Sequence, residues 1–194
     1  MRTAKKLAAE PTKFNVDDYI ETFKGTKFYL HDPKFDIEEI SHALSNVCRF
    51  SGHCARRYSV AEHSVLVSLI MEDQRLGNPY EGLMHDATEA YLGDIASPWK
   101  KLLPDYKAIE HALETKMRAH FGLEPTMSAG CKLADWTALI LEARLLIKSG
   151  ATDWLVPAEP LALATKIADD YHIMCWDPES ARREFMGRYR KVAP

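Results

Sequence analysis

Apolar residues recur at helical spacing through most of this chain, and capping and turn residues fill the breaks between the runs. Ile37, Ile40, Leu44 and Val47 lie three or four apart behind Asp36, which predicts a helix capped by that aspartate. Ser59 and Glu62 have capping-box spacing ahead of an apolar run over 65–70. A second helix is therefore expected from Ser59 to about Asp73. Gly77, Asn78 and Pro79 make a turn, and Pro79 suits the first position of a helix that carries His85 and stops at Gly93. A loop follows Asp94. Pro104 then starts a helix to about Phe121, ended by Gly122, and another spans about 128–149, ended by Gly150. Pro157 and Pro160 break up the stretch 153–176 and leave room for a short helix over about 163–171. Asp177, Pro178 and Glu179 supply the cap, first-turn proline and acidic residue of a terminal helix. Residues 1–35 read as an irregular N-terminal arm, with a short strand or extended piece from Lys27 to a turn at Pro33. The pattern predicts an all-α bundle over 36–194.

Composition narrows the picture. At 194 residues the chain is long enough for one domain with a continuous core. Its net charge is −3 with the two signs well mixed, so there is no electrostatic footprint for nucleic acid or an anionic membrane. The apolar runs are far too short to span a bilayer, and the start, Met-Arg-Thr-Ala-Lys-Lys, lacks the apolar core of a signal peptide. The four cysteines (48, 54, 131 and 175) have no CxxC spacing. Together these features predict reduced thiols in a cytoplasmic protein.

The candidate chemistry centres on His85 and Asp86, adjacent residues that can share one divalent cation. Glu89 lies four residues after the histidine and three after the aspartate, on about the same helical face. It would be a spare carboxylate beside an activated water. Alone, a His-Asp dipeptide is as readily a surface pair, but two other places match it. His63 sits early in the helix that Ser59 opens. Asp135 lies in an otherwise apolar helical segment, where an unpaired carboxylate is costly. Either Lys132, three residues earlier, neutralises Asp135, or Asp135 closes a metal site with His63, His85 and Asp86.

Read in order, Arg49-Phe50, Ala61-Glu62-His63-Ser64, His85-Asp86-Ala87-Thr88-Glu89, Gly93-Asp94-Ile95-Ala96-Ser97-Pro98 with Lys100, and Lys132-Leu133-Ala134-Asp135 cover roughly 40–145. This arrangement resembles the HD-domain metal-dependent phosphohydrolases, whose signature is H…HD…D. It is closest to the small bacterial 5'-deoxynucleotidases and the phage deoxynucleoside triphosphohydrolases. The resemblance implies His63, His85, Asp86 and Asp135 as metal ligands and Glu89 as the proton-transfer carboxylate. It also implies Arg49 with Phe50 as a nucleotide-holding pair, with Phe50 where tryptophan is common, and Asp94 near the sugar 3'-hydroxyl. His63 and His85 stand 22 residues apart, a short interval for these relatives, and Trp99 is bulkier than usual for its loop.

The expected activity is hydrolysis of a (deoxy)nucleotide, with metal-bound water attacking the 5'-linked phosphate. Triphosphate release from a deoxynucleoside triphosphate of the dATP type ranks first. Orthophosphate release from a deoxynucleoside monophosphate is the alternative, and a non-catalytic nucleotide- or metal-binding sensor is the reading from another class. Guanosine tetraphosphate hydrolases usually add Glu-Asp after the HD pair, which Thr88-Glu89-Ala90 lacks. A mixed nitrogen and oxygen ligand set suits one divalent Mn, Co, Zn, Fe or Ni ion, with Mg²⁺ available to a phosphate tail. Lys100 and Lys132 join Arg49 as phosphate-facing cations. His53 is placed to line the pocket or to bond within its loop. His111 and His120 are nine residues apart and point to different sides of a helix, which favours a mononuclear site. Apolar helix faces and the family together predict a homo-oligomer.

Overall fold

The computed structural model describes residues 18–194, so the first half of the expected arm lies outside the described residues. Its second half holds an antiparallel pair of two-residue strands, β1 (Ile20–Glu21) and β2 (Lys27–Phe28). The elements that follow are helices, with one isolated bridge between Cys48 and Ser59. The fold is mostly α.

Capping chemistry sets most helix starts where the sequence predicts them. Asp36 accepts from the N–H groups of Glu38 and Glu39 to open α1 (Ile37–Asn46). Ser59 accepts from Glu62 N–H to open α2 (Val60–Asp73). Asn78 caps α3 (Pro79–Met84), with the proline at its first position. The His85 stretch then departs from expectation. It is not one helix to Gly93: bonds three residues apart link Ala87 N–H to Met84 O and Glu89 N–H to Asp86 O, and α4 (Glu89–Leu92) follows. Gly93, at φ 77°, ends it as expected. Beyond it the expected loop contains one helical turn, α5 (Ser97–Lys100).

Next come α6 (Pro104–His120) and α7 (Ala129–Leu146), the latter capped by Ser128 and ending three residues earlier than expected. Leu146 O accepts the N–H of Ala55 instead of extending the helix. Helix α8 (Ala158–Lys166) begins well before residue 163. Pro160 lies in its first turn, where no N–H is needed, and so opens the helix instead of breaking it. Asp177 caps α9 (Pro178–Val192) through the N–H groups of Glu179 and Ser180.

Helix α2 lies at the centre and is buried along most of its length. Val60, Ala61 and Val65 join one apolar cluster with α1, α3 and α9, while Leu66, Val67, Ile70 and Met71 join a second with α7 and α8. A helix covered on every side shows little amphipathic pattern. That position puts any polar residue of its first turns inside the protein, and His63 is such a residue.

Close approach elsewhere relies on glycine. Gly130, in the first turn of α7, abuts the carbonyl of Leu76, and a methyl group there would overlap the oxygen. Gly130→Ala is expected to destabilise the protein by about 1–3 kcal/mol through forced displacement. Urea unfolding would read this as a lowered midpoint at constant slope, and an unmoved midpoint would rule out the tight contact. Among the described residues, no helix is long and apolar enough to cross a membrane.

Candidate functional site

Four side chains of two ligand types converge where α2, the 85–88 turn and α7 meet. His63 Nε2 and His85 Nε2 stand 3.2 Å apart. Asp86 Oδ2 is 3.1 Å from the His85 nitrogen and 3.5 Å from that of His63. Asp135 Oδ1 lies 3.2 Å from His63 Nε2 and 3.8 Å from His85 Nε2. The tight turn after α3 is what aims the pair: Gly82 O accepts His85 Nδ1 at 2.9 Å, which fixes that ring. Bonding at a three-residue interval also aligns Asp86 with Glu89.

The outer ring nitrogens decide what the inner ones can do. A carbonyl only accepts, so His85 Nδ1 carries a hydrogen. His63 Nδ1 donates to Glu142 Oε1 at 2.6 Å. In the neutral state both Nε2 atoms therefore present lone pairs to each other, an arrangement that needs a cation between them. Two nitrogens each ~2.0–2.1 Å from one ion stand roughly 3 Å apart, as these do. His63, His85 and Asp86 form a buried group able to hold a metal ion.

Opposite charges at the cluster support one another against the cost of burial. Burial, the largest influence on His85, pulls its pKa down, but Asp86 and Asp135 outweigh it and raise the value well above the ordinary one. Burial and Arg49 likewise oppose a charge on His63, and Glu142 and Asp135 overcome them. Burial disfavours the Asp86 carboxylate, yet His85 holds its pKa down to about 2. Asp135 lies well below the usual carboxylate range because hydrogen bonds from both imidazoles exceed its desolvation. Protons on the two histidines thus occupy the role of a cation, and a divalent ion must displace them. Metal affinity is expected to weaken as pH falls below the raised histidine values and to strengthen as pH rises. Calorimetric titration between about pH 6 and 9 would show protons released on binding, and a pH-independent Kd would contradict the arrangement.

Glu142 and Tyr58 complete the site, and the sequence reading passed over both. Glu142 is fully buried and also accepts from Tyr58 OH at 3.0 Å and from Arg49 Nη2 at 3.1 Å. Its burial is offset by His63 and Arg49, which hold its pKa below the usual range. The available signal was its place seven residues after Asp135, two turns along the same face of an apolar helix.

The expected substrate residues divide. Arg49 opens a short 3₁₀ turn, Arg49–Gly52, and its Nη1 lies 3.7 Å from Asp86 Oδ2. Phe50 follows with its ring 5.5 Å from the guanidinium. Glu89 is buried, and its pKa is well above the carboxylate norm because of desolvation, then of Asp86 and Asp94. Burial raises the Asp94 pKa as well, and Asp86 adds to the effect. Lys100 is bonded to Glu110 at 2.5 Å and lies near enough to Glu89 to feel its charge. Lys132 is exposed and forms no ion pair with Asp135, so the two histidines, not that lysine, neutralise the aspartate. His53 and His111 are exposed, and His120 packs on Phe35 and Phe121.

No protein-family model matches the chain. It is 37% identical over 178 residues to the uncharacterized protein YfdR of Escherichia coli (strain K12), covering 90% of this chain and 96% of that protein. It is also 34% identical over 131 residues to an uncharacterized protein of Rhodobacter capsulatus, covering 62% of this chain and 67% of the other. Similarity over nearly the whole of both chains shows that this protein belongs to the family of Escherichia coli YfdR.

Proposed function

We propose that the protein is a metal-dependent phosphohydrolase of the HD type acting on deoxynucleotides at the 5' phosphate. One observation carries this reading. Arg49 Nε and Glu89 Oε2 are both buried and without a hydrogen-bond partner beside the histidine and aspartate cluster. A buried donor and a buried acceptor left unpaired are costly unless a ligand meets them. A phosphate oxygen suits the donor, and a water or a leaving hydroxyl suits the acceptor.

His63, His85, Asp86 and Asp135 would hold the ion, and the mixed donor set fits Mn, Co, Zn, Fe or Ni better than Mg. When bound, the ion supplies positive charge for phosphoryl oxygens and acidifies a water. Arg49 holds the phosphate through Nε while Glu142 fixes its guanidinium. Glu89 takes a proton at Oε2 and returns it to the departing 5' oxygen. Asp94, two residues beyond the end of α4, faces the sugar and accepts from its hydroxyl. A sensor without turnover has no use for the Glu89 carboxyl in this place.

The ion pairs favour a monophosphate over the triphosphate that the sequence ranks first. Arg49 is already matched to Glu142 and Asp86, and Lys100 to Glu110. Of the three cations the sequence offers, that leaves Lys132 for a tail with two more charged phosphates, unless Mg²⁺ accompanies it. The deciding experiment incubates purified protein with Mn²⁺ or Co²⁺ and a panel of deoxynucleoside mono- and triphosphates. Orthophosphate from the monophosphates is the expected product. Triphosphate release would replace the monophosphate assignment while keeping the chemistry, and tight metal binding with no turnover on any nucleotide would leave a sensor.

A further inference from the structure

Phe50 and Trp154 face one another across the rim of the site, and the backbone is strained to put Phe50 there. Phe50 and Ser51 both adopt left-handed conformations, φ 53° and 52°, followed by Gly52 at 77°. Non-glycine residues seldom take that region, and two in succession persist only where surrounding contacts hold them. Here the contacts are evident. Arg49 is fixed below by Glu142, and Ala55 N–H donates to Leu146 O at 2.8 Å, tying this loop to the end of α7. The chain beyond α7 turns back, with Trp154 N–H donating to Ala151 O, and places the indole 6.3 Å from the Phe50 ring at an interplanar angle of 43°. Trp154 remains 40% exposed.

A single exposed aromatic residue means little. Two rings packed together beside a guanidinium, with one face of the pair open to solvent, are more informative. At 6.3 Å and 43° the two rings already pack as a tilted pair, so a flat heterocycle would stack on the exposed face of Trp154 and not between the rings. A bare phosphate anion gains nothing from such a face, whereas a flat base does. We propose that Trp154 and Phe50 form the platform for the nucleobase, with Trp154 as a specificity-determining residue that no motif of the chain marks. The proposal rests on the deoxynucleotide reading above, and it names the part of the substrate that this rim recognises.

Stacking on an aromatic side chain tolerates every base, so the platform favours nucleotides over base-free sugar phosphates without selecting among bases. The test compares kcat/KM for deoxynucleoside 5'-monophosphates with that for 2-deoxyribose 5-phosphate, in the wild type, Trp154→Ala and Trp154→Phe. The nucleotide-to-sugar ratio is expected to fall about tenfold in Trp154→Ala and less in Trp154→Phe. An unchanged ratio would overturn the proposal while leaving the hydrolase reading intact. A second measurement needs no turnover: deoxyadenosine monophosphate is titrated into metal-free protein while tryptophan fluorescence is followed. Subtracting the Trp154→Phe signal removes Trp99, Trp136 and Trp176. Quenching of the Trp154 component is expected, and its absence would overturn the platform. Quenching without hydrolysis of any phosphate ester would uphold the platform and discard the hydrolase reading.

Discussion

Replacing Glu142 with alanine is expected to cost about 3–5 kcal/mol of folding stability, a large share of the ~5–15 kcal/mol that holds a typical domain together. The buried carboxylate meets His63 Nδ1, Tyr58 OH and Arg49 Nη2 at once. Removing it leaves the buried guanidinium with the longer 3.7 Å pairing to Asp86, and takes the acceptor from a buried imidazole and phenol. Each loss is an uncompensated desolvation, not merely a missing bond. Glu142→Gln separates charge from shape. Its amide oxygen still accepts from His63, but its amide nitrogen then faces Arg49 Nη2, donor against donor, and that pairing is lost. Metal affinity is then expected to fall by roughly 10- to 100-fold, because the ring is less firmly oriented and less basic. Denaturant titration of the alanine variant and metal titration of the glutamine variant test the two halves. An alanine variant within about 1 kcal/mol of wild type would show that the network is incidental.

The contrast between Glu142 and the four proposed ligands shows what the chain disclosed and what it concealed. His63, His85, Asp86 and Asp135 are legible because each stands in a short local pattern, a capped helix start or a polar break in an apolar run. Helix starts at Asp36, Ser59 and Asp177 are legible for the same reason, since a cap bonds to amides two or three residues away. Glu142 reads as an ordinary helix-forming glutamate until its partners 79, 84 and 93 residues away are known. Trp154 lay in a stretch whose prolines suggested disruption, where Pro160 in fact belongs to the first turn of α8. The split between α3 and α4 depends on His85 Nδ1 taking the carbonyl of Gly82, a choice that helix propensity cannot express. The early end of α7 depends likewise on Ala55 claiming the Leu146 carbonyl. Local chemistry announced the proposed ligands; tertiary contacts chose what supports them.

Glu89 is where the proposed chemistry is most exposed to refutation. Its side chain is buried on α4, Oε2 has no partner, and desolvation with the nearby Asp86 and Asp94 carboxylates keeps its proton bound to unusually high pH. A carboxyl of this kind still carries a proton at pH values where an exposed glutamate is already ionised, which suits it to proton transfer. Glu89→Gln keeps the volume and the hydrogen-bonding atoms but cannot exchange a proton. Its kcat/KM is expected to fall by about 10²–10⁴-fold, with metal content unchanged because the residue lies outside the ligand group. The sign of the pH effect follows from the raised pKa. The protonated form, present below that value, serves as acid, and the ionised form above it serves as base. One limb of the pH–rate profile should therefore disappear in Glu89→Gln. Stability should hold or improve, since a buried acid with an unsatisfied oxygen gives way to a neutral amide. A variant that retains activity within about fivefold and keeps both limbs would remove Glu89 from the proton path, and the proton would then have to pass through Asp86 or Asp94.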